Sequence, residues 1–494
     1  MRPRLPTPGL ALWTALLASG AAAAPPAWLE VSSPHFSVVT NAGEKAGRRT
    51  AWQFEQIRGA LLQLWPWASI DSGLPIVVFA ARDEATLRGL GPQYWEGKRY
   101  RPVSFAVRGA DRHFIALRSD VREPDEVGAN PYQAAYWSYV SAVFNRSFPR
   151  RPPLWYGRGI AEVMSNTIVR EKELHVGRPI RENVERLREG QLVPLDELLG
   201  ADSRSHWLTQ ESDVRLFDAQ AWALTHYLMF GEKGAHQAAL NRFNALLRGG
   251  ASSEAAIREA FGSLAPCFKE LRTYAERGVF SYLHVPVSRE IQDRSYTSRS
   301  LSAGEAAALR GKFLVAMRRP AEARALAAEA AKADPRLPGP WEIEAELLDE
   351  AADPAAGAAY RKAADAGSTS ASVYYRLAQL DWSPHPDKPG LEHLAGTLEK
   401  ARSLDPGRAN VLSFLAEVRL ALGQPEEALS LARKAVSLEP WESYHRLSLA
   451  RVLSDAGRQD EAVESARSAL QTADTEEERR QAQEFLDSAS KRSP

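Results

Sequence analysis

Two short segments near the start of the sequence alternate apolar and polar residues, and a helical pattern follows them. The alternation covers residues 28–31 and 35–40, which predicts two half-buried strands. From Glu44 to Leu64 apolar residues recur at three- and four-residue intervals, so an amphipathic helix is expected there. Residues 75–80 then form an apolar run of the length of a buried strand. The opening of the chain therefore predicts strands around one helix.

A β-hairpin and a long helical region follow. Residues 104–108 and 112–118 flank the turn Gly109-Ala-Asp111, which predicts two antiparallel strands. From residue 131 to about residue 282 the pattern is almost wholly helical. A small sheet followed by a helical bundle favours an α+β domain, which we place at residues 25–284.

A self-similar pattern begins after residue 303. Small and apolar residues recur 34 positions apart: Leu412, Leu415, Ala416, Gly423, Ala428, Ala432 and Ala435 are followed by Arg446, Leu449, Ala450, Gly457, Ala462, Ala466 and Ala469. The same positions recur less regularly in residues 304–337, 338–369 and 371–408. This period resembles the tetratricopeptide repeat (TPR), in which each helix pair buries its apolar face against its neighbours. We therefore predict an all-α solenoid at 303–494, with about five repeats and a capping helix.

The segment between these two regions, residues 285–302, has weak periodicity and many polar residues, so it is the predicted linker. A chain of 494 residues is too long for one compact core, which agrees with at least two domains.

Because 62 basic residues balance 62 acidic ones, no overall attraction to nucleic acid or anionic lipid is expected. The single cysteine, Cys267, cannot form an intramolecular disulfide and is expected in a core position.

The first 24 residues have the features of an export signal. Arg2 and Arg4 precede a short apolar run from Leu10 to Ala24, which ends in small residues suited to cleavage. We therefore expect an exported protein, periplasmic or secreted; an uncleaved N-terminal anchor is the alternative. No later stretch is long and apolar enough to span a bilayer, so no integral membrane segment is expected after cleavage.

Residues 148–165, with Pro153-Leu-Trp155 and Gly159-Ile-Ala-Glu162, resemble the active-site region of the peptidase MA-like gluzincins of the thermolysin superfamily. The resemblance extends over about residues 30–280. In that family a His-Glu-x-x-His helix supplies two zinc ligands and a general base, and a glutamate on the next helix supplies the third ligand. The resemblance implies a gluzincin-like α+β fold with this site between two helices.

The four family positions carry other residues in this sequence. The resemblance places the first histidine at Trp137, the base at Ser138, the second histidine at Ser141 and the third ligand at Arg158. None of these side chains can hold zinc or accept a proton in the family's way, so a metal-free pseudoenzyme is implied. We expect Trp137 to fill core volume, with ligand binding as the alternative. Arg158, if buried, needs a partner, and Glu162 one helical turn away is the predicted one.

Other catalytic motifs are also missing from the sequence. No two histidines stand four apart, and there is no Gly-x-Ser-x-Gly elbow and no phosphate-binding loop. No cofactor and no metal ligand are therefore predicted. A site assembled from distant residues would escape this test, so an active hydrolase with an unrecognised site stays open as the alternative function.

The favoured function is a protein-protein interaction scaffold that binds a protein or peptide in the concave groove of the repeats. Six residues are predicted to face that groove, with an ordinary solvated helix position as the alternative for each: Tyr375, Gln379, Ser413, Glu417, Tyr444 and Arg451. No nucleic acid is expected as a partner.

Overall fold

A computed structural model of the chain describes residues 27–70, 73–97, 101–122, 129–473 and 475–490. The predicted signal peptide at 1–24 lies outside the described residues. The strands are β1 (Leu29–Ser32), β2 (Phe36–Thr40), β3 (Ile76–Ala81), β4 (Ser104–Arg108), β5 (His113–Arg118), β6 (Ile168–Val169), β7 (Glu173–Val176), β8 (Leu283–Pro286) and β9 (Thr297–Ser300).

The helices fall into two groups along the chain. The first group is α1 (Glu44–Leu64), α2 (Glu84–Leu90), α3 (Gln133–Phe144), α4 (Leu154–Ser165), α5 (Arg181–Glu189), α6 (Leu195–Gly200), α7 (Glu211–Phe230), α8 (Gln237–Arg248), α9 (Ser253–Phe261) and α10 (Ala265–Arg277). The second group is α11 (Ala303–Ala316), α12 (Pro320–Ala333), α13 (Gly339–Glu350), α14 (Ala356–Asp365), α15 (Ala371–Asp381), α16 (Lys388–Leu404), α17 (Ala409–Ala421), α18 (Pro425–Leu438), α19 (Ser443–Asp455), α20 (Gln459–Thr472) and α21 (Glu476–Ser490). None of the described helices is both long enough and apolar enough to cross a bilayer.

The predicted mostly helical molecule with a small N-terminal sheet is confirmed. Its main sheet has six strands in the order β4-β5-β3-β2-β1-β9. Strands β2, β3 and β5 are parallel neighbours, whereas β1 and β4 run antiparallel to the strands they join. A second sheet, β6-β7-β8, places β6 and β7 inside the region that periodicity predicted to be almost wholly helical, and β8 directly after it. Its strands have two to four residues each, too short for a clear alternation.

The segment predicted as the linker contributes strands to both sheets. The residues of β8 pair with β7, and β9 pairs with β1 so that Leu29 lies opposite Ser300. All four side chains of β9 are exposed, which explains why its sequence shows no apolar pattern. The connection to the repeats is therefore held by backbone hydrogen bonds to the N-terminal domain.

The two faces of the main sheet pack against different helices. Val38, Val78 and Ile115 belong to the large core that includes residues of α1, α3 and α4. Their neighbours Val39, Val77 and Phe79 belong to a second core, which is completed by α2 and by Phe313 of α11. The first repeat helix thus covers one face of the N-terminal sheet, and the two domains share a hydrophobic core.

Helices α11 to α20 form five successive pairs, and α21 packs on the last pair. The alanines that recur 34 residues apart are fully buried, among them Ala428 and Ala462. Small side chains let the helices approach closely: a Cβ on Gly311 would lie 2.5 Å from Ile343. This packing is that of a TPR-like helical solenoid.

Candidate functional site

A cleft in the N-terminal domain is lined by three of the four residues at the predicted degenerate catalytic positions, Trp137, Ser138 and Arg158. Its cavity of about 820 Å³ is lined by Tyr94, Pro102, Ser104, Phe105, Ala106, Gln133, Ala134, Trp137, Ser138, Arg158, Glu162, Ser165, Glu211, Arg215 and Asp218. Trp137 and Ser138 lie on α3, Arg158 and Glu162 on α4, and Asp218 on α7. Gly159 lets α4 contact α7 closely, because a Cβ there would lie 2.5 Å from the Ala221 carbonyl oxygen.

Arg158 is held by a bidentate ion pair with Asp218. Its Nε and Nη2 donate to the two carboxylate oxygens at 2.5 and 2.7 Å. The guanidinium also lies over the Trp137 ring, 5.1 Å from the centroid. The predicted ion pair with Glu162 was wrong, since the partner comes from a helix 60 residues further along, which helical spacing within α4 does not reveal.

Glu162 is a carboxyl group of this cleft whose pKa is shifted far from its ordinary value. Burial and the nearby Asp218 carboxylate raise the pKa of Glu162 to about 8, although Asn183, Arg158 and Trp137 oppose the shift. The Asn183 amide donates to its carboxyl at 3.2 Å. At neutral pH the group therefore carries a proton most of the time and offers a hydrogen-bond donor in the cleft.

The two serines at family positions have separate surroundings. Ser138 Oγ lies 3.0 Å from His113 Nε2. Burial, together with Arg108 and Arg146, lowers the pKa of His113 to about 4. Ser141 instead accepts from Asn145 Nδ2 at 3.4 Å and lines a neighbouring cavity of about 350 Å³. Trp137, expected in the core, is only partly buried and lines both cavities.

The predicted family positions form no cluster of histidine and carboxylate ligands. Within the described ranges, one group of three such residues has its ligand atoms within 4.8 Å of one another, namely Glu173, His175 and His284. None of them lines the 820 Å³ cleft. Sequence reasoning missed this group because strand pairing brings His284 to residues more than a hundred positions earlier.

The turn of the β4–β5 hairpin contacts the first helices of several repeats. Asp111 at this turn is 8% exposed and forms two 2.9 Å hydrogen bonds with Arg112. It also accepts from Ser370 Oγ at 2.8 Å and lies 3.8 Å from Lys312 Nζ, both on the repeat side. Although burial opposes ionisation, Lys312 and Arg112 hold the pKa of Asp111 well below its usual range.

A groove cavity of about 460 Å³ separates the hairpin from the first repeats. Its lining residues are Arg108, Gly109, Ala110, Val315, Ala316, Arg318, Glu346, Asp349, Glu350, Tyr360, Ser372, Tyr375, Arg376, Gln379 and Arg408. Tyr375 and Gln379, both predicted to face the groove, lie here, and Gln379 Nε2 donates to the Tyr375 hydroxyl at 3.0 Å. Arg376 donates to Gln379 and to Asp349. These polar side chains are therefore fixed in orientation.

The other predicted groove residues differ in exposure. Glu417 and Arg451 form an ion pair at 3.3 Å between neighbouring repeats, with 24% and 43% of their side chains exposed. Tyr444 is partly buried, and burial raises the pKa of its hydroxyl. The prediction that Ser413 faces the groove was wrong. Ser413 is fully buried, and its hydroxyl lies 2.8 Å from His445 Nδ1. Ser413 thus holds two helices together and does not face the groove.

A second contact between the domains lies near the last repeats. Arg146, which follows α3, donates to Glu439 at 3.1 Å and lies 5.8 Å from the Trp441 ring centroid. Arg150 donates to Gln471 at 2.5 Å. Together with the hairpin turn, these contacts join the N-terminal domain to the repeats at two places.

No protein-family model matches the chain, and no curated protein matches it either. Solved structures of TPR proteins are similar to part of it. A thermophilic TPR protein of Thermus thermophilus is 22% identical, over 37% of this chain and 98% of its own, with a TM-score of 0.28. PilF of Pseudomonas aeruginosa is 20% identical over 37% and 88%, at a TM-score of 0.29. YrrB, described as a TPR protein with an unusual peptide-binding site, is 14% identical. The match covers 36% of this chain and 91% of YrrB, with a TM-score of 0.30.

Proposed function

We propose that this protein is an exported, non-catalytic scaffold that binds a protein or peptide segment along the concave face of its repeats. The observation that supports this most is the groove cavity beside the hairpin turn, in which Tyr375, Arg376 and Gln379 are already fixed by hydrogen bonds. Groups held in place before binding lose less entropy when a ligand arrives. Stacked helical repeats provide extended concave surfaces of this kind.

The partner would contact both charged and aromatic groups. Tyr375 lines the groove cavity, and the proposed binding surface continues from it to Tyr444 and the Glu417–Arg451 pair. Such a surface offers hydrogen bonds to a peptide backbone and apolar area to its side chains. Because the hairpin turn already occupies the side of the groove near Lys312 and Ser370, the partner would bind from α15 towards α21.

The N-terminal domain is proposed to be a gluzincin-like pseudoenzyme. Arg158 stands where the resemblance places the third zinc ligand, and it is satisfied by Asp218. A paired guanidinium at that position disfavours a second cation. The cleft, at about 820 Å³, has the volume of a ligand site and a protonated Glu162, so it is proposed to bind a ligand without cleaving it.

One contact favours the alternative, a hydrolase. Ser138 and His113 stand at the distance of a nucleophile and its base, 3.0 Å, and Ser138 lines the cleft. However, a histidine with a pKa of about 4 is a weak base at neutral pH. Ser138 also lies inside helix α3, away from the free backbone N–H groups that stabilise an oxyanion at a helix start. We therefore prefer the scaffold.

Binding is tested with the full-length protein as bait and two matched variants. Arg451→Glu breaks the Glu417–Arg451 pair, which is predicted to face the groove. Arg433→Glu breaks the exposed Arg433–Glu461 pair, which is 3.5 Å long and also joins two repeats. We expect a captured partner to bind the groove variant at least about tenfold more weakly and the control variant unchanged. A partner that is insensitive to Arg451→Glu and to Tyr375→Ala contradicts the proposal.

Catalysis is tested separately. A fluorophosphonate probe and a peptide library are offered to the wild-type protein and to Ser138→Ala, with and without added zinc. We expect neither labelling nor hydrolysis. Labelling that Ser138→Ala abolishes, or hydrolysis that requires zinc, would establish an enzyme and overturn the non-catalytic assignment.

A further inference from the structure

Two histidines and a glutamate meet on one face of the second sheet. Strands β7 and β8 are antiparallel, and their register places His175 directly opposite His284. Glu173 is two residues before His175, so its side chain leaves the same face of the strand. Directly opposed side chains have Cβ atoms about 4.5–5.5 Å apart, which is within reach of a shared ion.

The three side chains already converge on one point. Glu173 Oε1 lies 2.8 Å from His175 Nε2 and 3.0 Å from His284 Nδ1. All three ligand atoms lie within 4.8 Å of one another. Zinc bonds of about 2.0–2.1 Å in a tetrahedron place ligand atoms about 3.3 Å apart. An ion therefore needs only small outward movements of side chains that are now joined by hydrogen bonds.

The geometry points to a binding site for a divalent transition-metal ion, with zinc as its reference ligand, formed by Glu173, His175 and His284. Imidazole nitrogens and a carboxylate are a donor set that suits zinc, copper and nickel. Three protein ligands leave a fourth position for water. The ion would replace the two hydrogen bonds that Glu173 Oε1 now makes with His175 and His284. It would add a link between the side chains of strands β7 and β8.

The surroundings hold the rings and leave a way in for the ion. His175 has 19% of its side chain exposed, whereas Glu173 has 41% and His284 has 53%. Tyr282 stacks on His284, with ring centroids 5.1 Å apart and planes at 24°. His175 is thus largely buried and His284 is stacked on Tyr282, while the exposed parts of Glu173 and His284 leave the site accessible from solvent. Because none of the three lines the 820 Å³ cleft, the site is distinct from the proposed pseudoenzyme cleft.

The site is tested by zinc and cobalt titration of the untagged full-length protein, followed by calorimetry, cobalt absorption and thermal unfolding. We expect one ion per chain with a dissociation constant of about 10 µM or lower. Zinc raises the unfolding temperature, since it binds the folded strand pair and not the unfolded chain. Glu173→Gln and His284→Gln each weaken binding by at least about tenfold and remove most of this rise.

His206→Gln is the matched control. His206 is an exposed histidine 3.9 Å from Glu197 and belongs to no group of three metal-ligating side chains among the described residues, so this variant keeps wild-type affinity. Circular dichroism of the metal-free variants verifies that they fold, and the exposure of His284 makes this the expected result. Absence of saturable binding, or equal affinity in wild type, Glu173→Gln and His284→Gln, overturns the site.

Discussion

In the N-terminal cleft, the guanidinium of Arg158 and the carboxyl groups of Asp218 and Glu162 lie close together in a partly buried space. A proton bound by one carboxyl group determines the net charge of the three. Arg158 and Asp218 form the ion pair, and Glu162 is held by Asn183 with a pKa raised to about 8. A proton on Glu162 leaves the cluster neutral, which is the cheapest state for a poorly solvated site.

Asp218→Asn tests the ion pair. The change leaves the Arg158 guanidinium without its carboxylate, and the two side chains are only 20% and 15% exposed. We expect a loss of about 3 kcal/mol in the free energy of unfolding, measured by urea denaturation. The exposed Asp202–Arg204 pair is the control, where Asp202→Asn costs less than about 1 kcal/mol. Equal effects of the two variants would show that the cleft pair is solvated.

Glu162→Gln tests the raised pKa. The folded protein keeps a proton on Glu162 that the unfolded chain releases above its ordinary pKa of 4.5. Stability from this group is therefore complete below about pH 4.5 and is lost as pH rises through about 8. We expect Glu162→Gln to flatten the fall of the urea midpoint in this range, whereas Glu185→Gln at an exposed helix position leaves the slope as in wild type. Parallel slopes in all three proteins would contradict the assignment.

The sequence predicted which cleft residues lack metal-binding chemistry, because residue type alone decides that. It did not predict their partners. Asp218 reaches Arg158 from α7, and His113 reaches Ser138 from strand β5. Both contacts depend on how helices and strands pack, which local spacing does not encode. Ser413 was misplaced for a related reason, since a groove position and a helix-contact position differ by a small rotation about the helix axis.

At the scale of elements, four of the five helix pairs have a residue in the left-handed region in the turn between their two helices. Gly423 and Gly457 have φ of 76° and 75°, and the equivalent Arg318 and Ala352 have φ of 57° and 53°. Only glycine adopts this left-handed region without steric cost. The first two repeats therefore carry backbone strain that two later repeats avoid.

Ala352→Gly is expected to stabilise the protein. The steric energy that glycine removes at this φ is larger than the free energy lost because glycine makes the unfolded chain more flexible. We therefore expect the free energy of unfolding to rise by about 0.5–1 kcal/mol. Ala351→Gly, one residue earlier at φ −83°, is the control and loses about 0.5 kcal/mol. Chemical denaturation measures both, and a destabilising Ala352→Gly would show that its turn is unstrained.

Strands β1 to β5 and helix α1 were predicted because each has a local apolar pattern over several residues. Strand β9 was not predicted, because all four residues of its Thr-Ser-Arg-Ser sequence are exposed. Its strand conformation comes from pairing with β1, which the local sequence does not reveal. The same holds for β8, where His284 is exposed and only Val285 is buried. The pairing of such strands comes from tertiary context.

At the scale of the whole molecule, one phenylalanine of the repeats lies in the hydrophobic core that they share with the N-terminal domain. Phe313 of α11 is fully buried, with ring centroids 5.3 Å from Phe79 and Phe114 and 5.9 Å from Phe105. Those three rings belong to the N-terminal sheet. A repeat array expressed alone would expose this face, which is why the binding experiments use the full chain.

Phe313→Ala tests the coupling. Removing a buried aromatic ring costs about 3–5 kcal/mol, and because the core is shared, hydrogen exchange accelerates in β3 as well as in α12. Phe485→Ala removes a partly buried ring on α21; it is the control and affects exchange only at the end of the array. Exchange in β3 that Phe313→Ala leaves unchanged would mean that the domains unfold independently.

The pairing of β1 with β9 also governs the order of events during protein synthesis. Leu29 leaves the ribosome early, but its partner Ser300 emerges only after the whole N-terminal domain has been translated. Until then one side of β1 keeps unpaired N–H and C=O groups, which can recruit a strand from another nascent chain. A translation product that stops before residue 297 keeps this open edge permanently.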